Sequence, residues 1–206
     1  MRKLVITLLG GLLSAGVLPT ASSVSAQEAT APDPQALKDG RKVAGMCRTC
    51  HGLDGLARIP IAPHIGGEPV DYLIAQLKAF KTGAREHEMM TVVASSLSDD
   101  QINKVALWFS HFEASGTLPA GTSEDDAPEL CVGCHSANGI STLEDAPNLA
   151  GEANIYIETQ LKAFRTGKRV HDIMTPIAKE LSDAEMQAAA DWYNDIAIKI
   201  SKPPDK

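Results

Sequence analysis

Apolar side chains recur at helical spacing along most of the chain, and the same sequence of elements appears twice. Tyr72, Leu73, Gln76, Leu77 and Phe80 share one face at i, i+3 and i+4, which predicts a helix over 70–81 stopped by Gly83. A second such helix is predicted over 155–165, stopped by Gly167. Ser98-Asp99-Asp100-Gln101 and Ser182-Asp183-Ala184-Glu185 are both capping boxes, and predict final helices over 99–114 and 183–200, with Trp108 and Trp192 late in them. A further helix is expected over 34–46. Its counterpart before Cys131 is shorter and interrupted by Pro128, so an abbreviated helix is expected there. No period-two alternation suggests a strand, and the fold class expected is all-α.

The opening segment obeys a different pattern. Arg2 and Lys3 precede an apolar stretch over 4–18, and Val24-Ser25-Ala26 supplies small residues for a cleavage site, which reads as an export signal over 1–26. The stretch is shorter than the roughly 20 residues a spanning helix needs, and no later segment is apolar enough to cross a membrane.

The duplication is exact in register. At an offset of 84 residues (Cys47 to Cys131), Ala62-Pro63 meets Ala146-Pro147 and Gly67-Glu68 meets Gly151-Glu152. Tyr72 meets Tyr156, Gln76 to Phe80 meets Gln160 to Phe164, Arg85 meets Arg169, and Trp108 meets Trp192. Gly, Ser, Thr and acidic residues over 116–126 read as a linker. The organisation expected is therefore a signal over 1–26, one domain over 27–115, the linker, and a second domain over 127–206, with 27–33 and 202–206 as loose ends.

The chemistry sits in two short runs, Cys47-Arg48-Thr49-Cys50-His51 and Cys131-Val132-Gly133-Cys134-His135. Cys-x-x-Cys-His is the pattern of c-type haem attachment: two thiols one short loop apart add to the two vinyl groups of a porphyrin edge, and the adjacent imidazole reaches iron. A thioredoxin-like redox pair expects a βαβ setting, which is missing. A four-Cys zinc site leaves both histidines unexplained. Two disulfides are compatible with export. Because the two runs use every cysteine of the chain, two covalently bound haem c groups are expected.

The repeat also bears on the sixth ligand. Met89 aligns with Ile173, which cannot ligate, whereas Met90 aligns with Met174. Met90 and Met174, each 39 positions after its histidine, are assigned as axial ligands opposite His51 and His135. His/Met ligation raises a haem potential. A bis-His alternative remains, because His87 and His171 also coincide; methionine as core filler remains for Met46, Met89 and Met186. The carbonyls of Pro63 and Pro147 are candidate acceptors for the ligating histidines' second nitrogen. Tyr72 and Tyr156 belong to a stripe read mainly as core, with a haem propionate as their other candidate partner. His64 has no matching histidine, since its counterpart is Asn148.

Charge narrows the partners. The formal net charge is −7, and it becomes −9 without Arg2 and Lys3. With no basic cluster, nucleic acid is not an expected partner.

Taken together, the tandem Cys-x-x-Cys-His domains, the Ala-Pro-x-x-x-Gly-Glu loops, the Tyr-x-x-x-Gln-Leu-x-x-Phe helices and the Gly-x-Arg-x-x-x-x-Met segments resemble cytochrome c4, a family of periplasmic two-haem class I cytochromes c. The resemblance covers about residues 35–200. It departs at Glu68 and Glu152, where Gln is frequent in the family. It implies two all-α domains about an approximate two-fold axis. The implied protein is a soluble or loosely membrane-associated carrier, not an enzyme, passing electrons in the periplasm from a bc1-type quinol-oxidising complex or a dehydrogenase to a terminal oxidase. The haem subunits of sulfide-oxidising flavocytochromes are similar, which leaves an electron-accepting dehydrogenase subunit as the alternative.

Overall fold

The computed structural model describes residues 32–203. The expected export signal lies outside the described residues, as do 27–31 and 204–206 of the expected loose ends. In chain order the elements are α1 (Pro34–Ala44), α2 (Arg48–His51), α3 (Val70–Thr82), α4 (Glu88–Ser95), α5 (Asp99–Ser110), β1 (Glu113–Thr117), a 3-10 turn (Glu124–Asp126), α6 (Glu129–His135), α7 (Asn154–Thr166), α8 (Met174–Glu180), α9 (Asp183–Asn194) and β2 (Ala197–Ser201). The all-α expectation holds, with one two-stranded sheet added. None of the described helices is long and apolar enough to cross a membrane.

Local chemistry accounts for the helix ends. α3 and α7 stop at Gly83 and Gly167, both left-handed (φ 80° and 77°). Both predicted capping boxes form, around Ser98 with Gln101 and around Ser182 with Glu185. Lys81 and Arg165 tie the preceding helices to the same caps by donating to the carbonyls of Leu97 and Leu181.

The predicted final helices are too long. They end at Ser110 and Asn194, and the tails turn into β1 and β2, which pair antiparallel from Glu113↔Ser201 to Thr117↔Ala197. Ile196, Ile198 and Ile200 are a period-two pattern of β-branched residues that runs on directly from the helix. The two strands occupy the same repeat position, so the ladder pairs a segment with its own counterpart, as an approximate two-fold demands. Ile198 packs on the core of the second half and Ile200 on that of the first, so β2 joins the two. Residues 116–117 of the expected linker lie in β1.

Each half has its own core. The first gathers Ala44, Leu73, Val105, Ala106, Trp108, Phe109 and Phe112; the second is built on Ile157, Leu161, Phe164, Met186, Tyr193 and Ile196. Met186 is fully buried, the filler role left open for it, whereas Met46 is exposed. The halves differ where α1 crosses α5. A Cβ at Gly40 would run into the Lys104 carbonyl and the Trp108 Cβ. Gly40→Ala is therefore expected to destabilise the first half by about 2–3 kcal/mol through overpacking, read as a lowered midpoint in denaturant unfolding. Among the described residues the second half has no counterpart of α1: Leu118 packs on its core instead, and the abbreviated helix is α6, which carries the cysteine motif itself.

Candidate functional site

Each Cys-x-x-Cys-His run is wound into a helical turn. In the first, the His51 amide donates to the Cys47 carbonyl (3.0 Å); the second ends α6. The turns close at Gly52 (φ 72°) and Ser136 (φ 60°), equivalent positions where the chain swings away after the histidine. No disulfide joins any two of the four cysteines in this structure. Burial pushes the Cys47 and Cys131 thiols up to about 11. A redox-active dithiol needs the opposite shift.

The two histidines are buried and held identically. His51 Nδ1 donates to the Pro63 carbonyl at 2.8 Å, and His135 Nδ1 to the Pro147 carbonyl at 2.8 Å, the acceptors expected from the sequence. With Nδ1 carrying the proton, Nε2 keeps its lone pair, and no hydrogen bond to Nε2 occurs among the described residues. Burial outweighs the bond to the carbonyl and holds both imidazoles below the ordinary histidine range, hence neutral and able to ligate. Paired free thiols beside a neutral, oriented imidazole are the donor set that haem c requires.

Met89 and Ile173 are exposed, whereas Met90 and Met174 are half-buried, Met174 against the second core. His87 and His171 have a structural task. His87 Nδ1 accepts from the amides of Met89 and Met90 (3.2 and 3.3 Å), and His171 Nδ1 from those of Ile173 and Met174 (3.2 and 3.3 Å). An accepting Nδ1 puts the proton of the neutral ring on Nε2, which then has no lone pair to offer a metal.

Between the halves lies a polar interface that sequence reasoning missed. Arg85 donates to Gln76 Oε1 (2.7 Å) and across the interface to Gln160 Oε1 (2.7 Å) and the Tyr156 hydroxyl (3.3 Å). Arg169 repeats this with Gln160 (2.9 Å), Gln76 (2.9 Å) and Tyr72 (3.3 Å). Each guanidinium also stacks on a phenylalanine of its own half, Phe80 or Phe164, at 4.5 and 4.4 Å. The polar members of the α3 and α7 stripes thus face the other half rather than the core. Their exact repetition in the sequence was the available signal.

His64 and Asn148, the pair that broke the repeat, do the same work. The His64 amide donates to Glu152 Oε1 (2.7 Å) and its Nε2 to the Gly151 carbonyl (3.0 Å), while its Nδ1 accepts from the Ala57 amide (2.9 Å). The Asn148 amide donates to Glu68 Oε2 (3.0 Å) and its Nδ2 to the Gly67 carbonyl (3.0 Å), while its Oδ1 accepts from the Ser141 amide (3.0 Å). Histidine is a longer version of the same donor and acceptor pair. His64→Asn is expected to keep the protein within about 1 kcal/mol of its stability, whereas His64→Ala, which strands the Ala57 amide and the Gly151 carbonyl, costs about 2 kcal/mol or more by thermal unfolding. Glu68 and Glu152 are only 3 % and 2 % exposed. Burial pushes Glu68 up to about 8, and burial together with the Glu68 charge pushes Glu152 well above the carboxylate range.

Residues 127–196 match the family model for cytochrome c. The electron acceptor of thiosulfate dehydrogenase from Thiomonas intermedia is 32% identical, over 72% of this chain and 77% of its own. Cytochrome c4 of Azotobacter vinelandii is 30% identical, over 93% of this chain and 98% of its own. The chain belongs to the cytochrome c4 family. The crystal structure of reduced cytochrome c4 from Pseudomonas stutzeri superposes with a TM-score of 0.67 at 28% identity, covering 81% of this chain and all of that one. Like other members of the cytochrome c4 family, the protein is an electron-transfer cytochrome that binds haem c covalently.

Proposed function

We propose that the chain is a two-haem electron carrier of the periplasm, with one haem domain over 27–115 and a second over 127–206. Cys47 and Cys50 hold one haem c, with His51 and Met90 as axial ligands; Cys131 and Cys134 hold the other, with His135 and Met174. The observation that carries this reading is the duplicate placement of His51 on Pro63 and His135 on Pro147, each leaving Nε2 available. Bound there, haem c supplies the Fe(III)/Fe(II) couple. The chain supplies oriented imidazoles, thioethers that favour the reduced iron, and a covalent hold. Arg85 and Arg169, which pair with no carboxylate among the described residues, give the interface a positive charge suited to haem propionates.

The deciding experiment is intact-mass measurement of the exported protein. Two added haem masses and an N-terminus at Gln27 are expected, and a chain carrying one haem or none, or with its thiols paired to each other, overturns the reading. A weak near-infrared charge-transfer band in the oxidised form is the mark of the thioether ligands. The electrons come from a bc1-type quinol-oxidising complex or a dehydrogenase and go to a terminal oxidase. A second reading, as the electron-accepting partner of a periplasmic dehydrogenase, is favoured by the relatives named as thiosulfate dehydrogenase electron acceptors. Co-purification with a dehydrogenase distinguishes it from the first.

A further inference from the structure

The carbonyl that receives His51 and the amide that meets Glu152 belong to one peptide group. Pro63 O accepts from His51 Nδ1 at 2.8 Å, and the N–H of the next residue, His64, donates to Glu152 Oε1 at 2.7 Å. The second half repeats the arrangement: Pro147 O accepts from His135 Nδ1 at 2.8 Å, and the Asn148 N–H donates to Glu68 Oε2 at 3.0 Å. In both cases the carboxyl comes from the opposite half.

We infer that each half tunes the other half's haem iron through a single peptide group: Glu152 acts on His51 through the peptide 63–64, and Glu68 acts on His135 through the peptide 147–148. The inference rests on the proposed haem sites, in which these histidines hold the irons. The peptide is conjugated, so negative charge drawn toward its N–H raises the electron density of its carbonyl oxygen, and chained hydrogen bonds polarise one another in a low-dielectric interior. A more negative carbonyl pulls harder on the Nδ1 proton and makes the imidazole a stronger donor, which favours Fe(III) and lowers the potential. An ionised Glu152 therefore holds the first iron's potential down, and a neutral one releases it.

Both carboxyls are buried and raised from the ordinary carboxylate range, Glu68 to about 8 by burial, and Glu152 well above it by burial and by the Glu68 charge beside it. The remaining titratable and charged groups facing the pair are His64, Tyr156 and, around Tyr156, Tyr72, Arg85 and Arg169. The second oxygen of Glu152, Oε2, is buried with no hydrogen-bond partner among the described residues. No other bond there offsets a change of charge, and the bond to the His64 amide carries it.

The test uses the haem-loaded exported chain and its variants Glu152→Gln and Glu68→Gln, which keep the shape and the accepting oxygen but not the charge. Each iron's potential is followed from about pH 6 to about 9, and assigned by the paramagnetic shift of the His64 amide for the first iron and the Asn148 amide for the second. In the unmodified protein both potentials fall as the carboxyls ionise. Glu152→Gln is expected to remove that slope from the first iron and leave it in the second, and Glu68→Gln to do the reverse. A variant that alters only the iron of its own half, both irons equally, or neither while lowering the melting temperature overturns the relay. In the unmodified chain, the pH midpoint sensed by the His64 amide is expected to rise when the first iron is reduced, since linkage is reciprocal; an unchanged midpoint overturns the relay without any variant. A chain without added haem mass overturns the functional reading as well, which separates the two failures.

Discussion

Replacing Met90 with alanine is expected to lower the potential of the first haem by on the order of 100 mV, within the roughly 0.8 V range over which axial ligands set haem potentials. The thioether is a soft donor that favours Fe(II), and its removal leaves the oxidised iron relatively better stabilised. The side chain is half-buried near the start of α4, where the His87 cap holds the backbone of Met89 and Met90. The alanine variant should keep α4, because the cap uses main-chain amides. The loss is then a loss of ligand, and the opened iron should take up added imidazole or cyanide. Met89→Ala is the control: its side chain is 60% exposed, and the potential should stay in place. A Met90→Ala protein with unchanged potential and no affinity for added ligands would show that another group holds the sixth position. His87→Ala tests the histidine alternative: it should fray α4 and leave the iron's spectrum that of a His/Met haem.

What the sequence reveals, and what it conceals, divides along the range of the interactions. Helix starts and stops were legible because Ser98, Ser182, Gly83 and Gly167 act on the backbone within four residues of themselves. The haem motif was legible because its chemistry is contained in five consecutive residues. The bonds from His51 to Pro63 and from His135 to Pro147 were foreseen because the repeat put a proline carbonyl at the same distance in both halves. The strands were missed because Ile196, Ile198 and Ile200 follow a strong helix without a break, and only a partner segment far back in the chain, with Gly116 opposite Ile198 and Ala114 opposite Ile200, turns their alternation into a ladder. The interface was missed for a similar reason. Gln76 and Tyr72 lie on the same stripe as Leu73 and Phe80, and helical periodicity does not say that the polar members meet Arg169. His64 stood out as a mismatch with Asn148. It proved equivalent in bonding, because a ring with one protonated and one bare nitrogen presents the same donor and acceptor as an amide.

The buried carboxyls should make the stability of the fold depend on pH. Glu68 has an ordinary value of 4.5 and is pushed up to about 8 by burial in the interface. Between those values the folded protein keeps a proton that the unfolded chain has released. Stability is therefore fully present below about pH 4.5 as far as this group is concerned, falls as pH rises through the window, and has been lost by about pH 8, at about 1.4 kcal/mol per pH unit. Glu152 is displaced in the same direction and adds to the fall. His64 works in the opposite sense: burial holds it below the ordinary histidine range, so acid favours the unfolded chain, whose histidine is free to charge. The two effects place the most stable point at mildly acidic pH. From about pH 6 to about 8 Glu68 by itself should take about 2–3 kcal/mol off the unfolding free energy, measured by urea unfolding at constant ionic strength. Glu68→Gln removes one titrating proton and should flatten the profile. It should also move the remaining fall to lower pH, because Glu152 then ionises without the repulsion of a neighbouring charge. A profile that rises across this range, or one that Glu68→Gln leaves unaltered, would mean that the carboxyls are ionised in the folded protein and that some other group neutralises them.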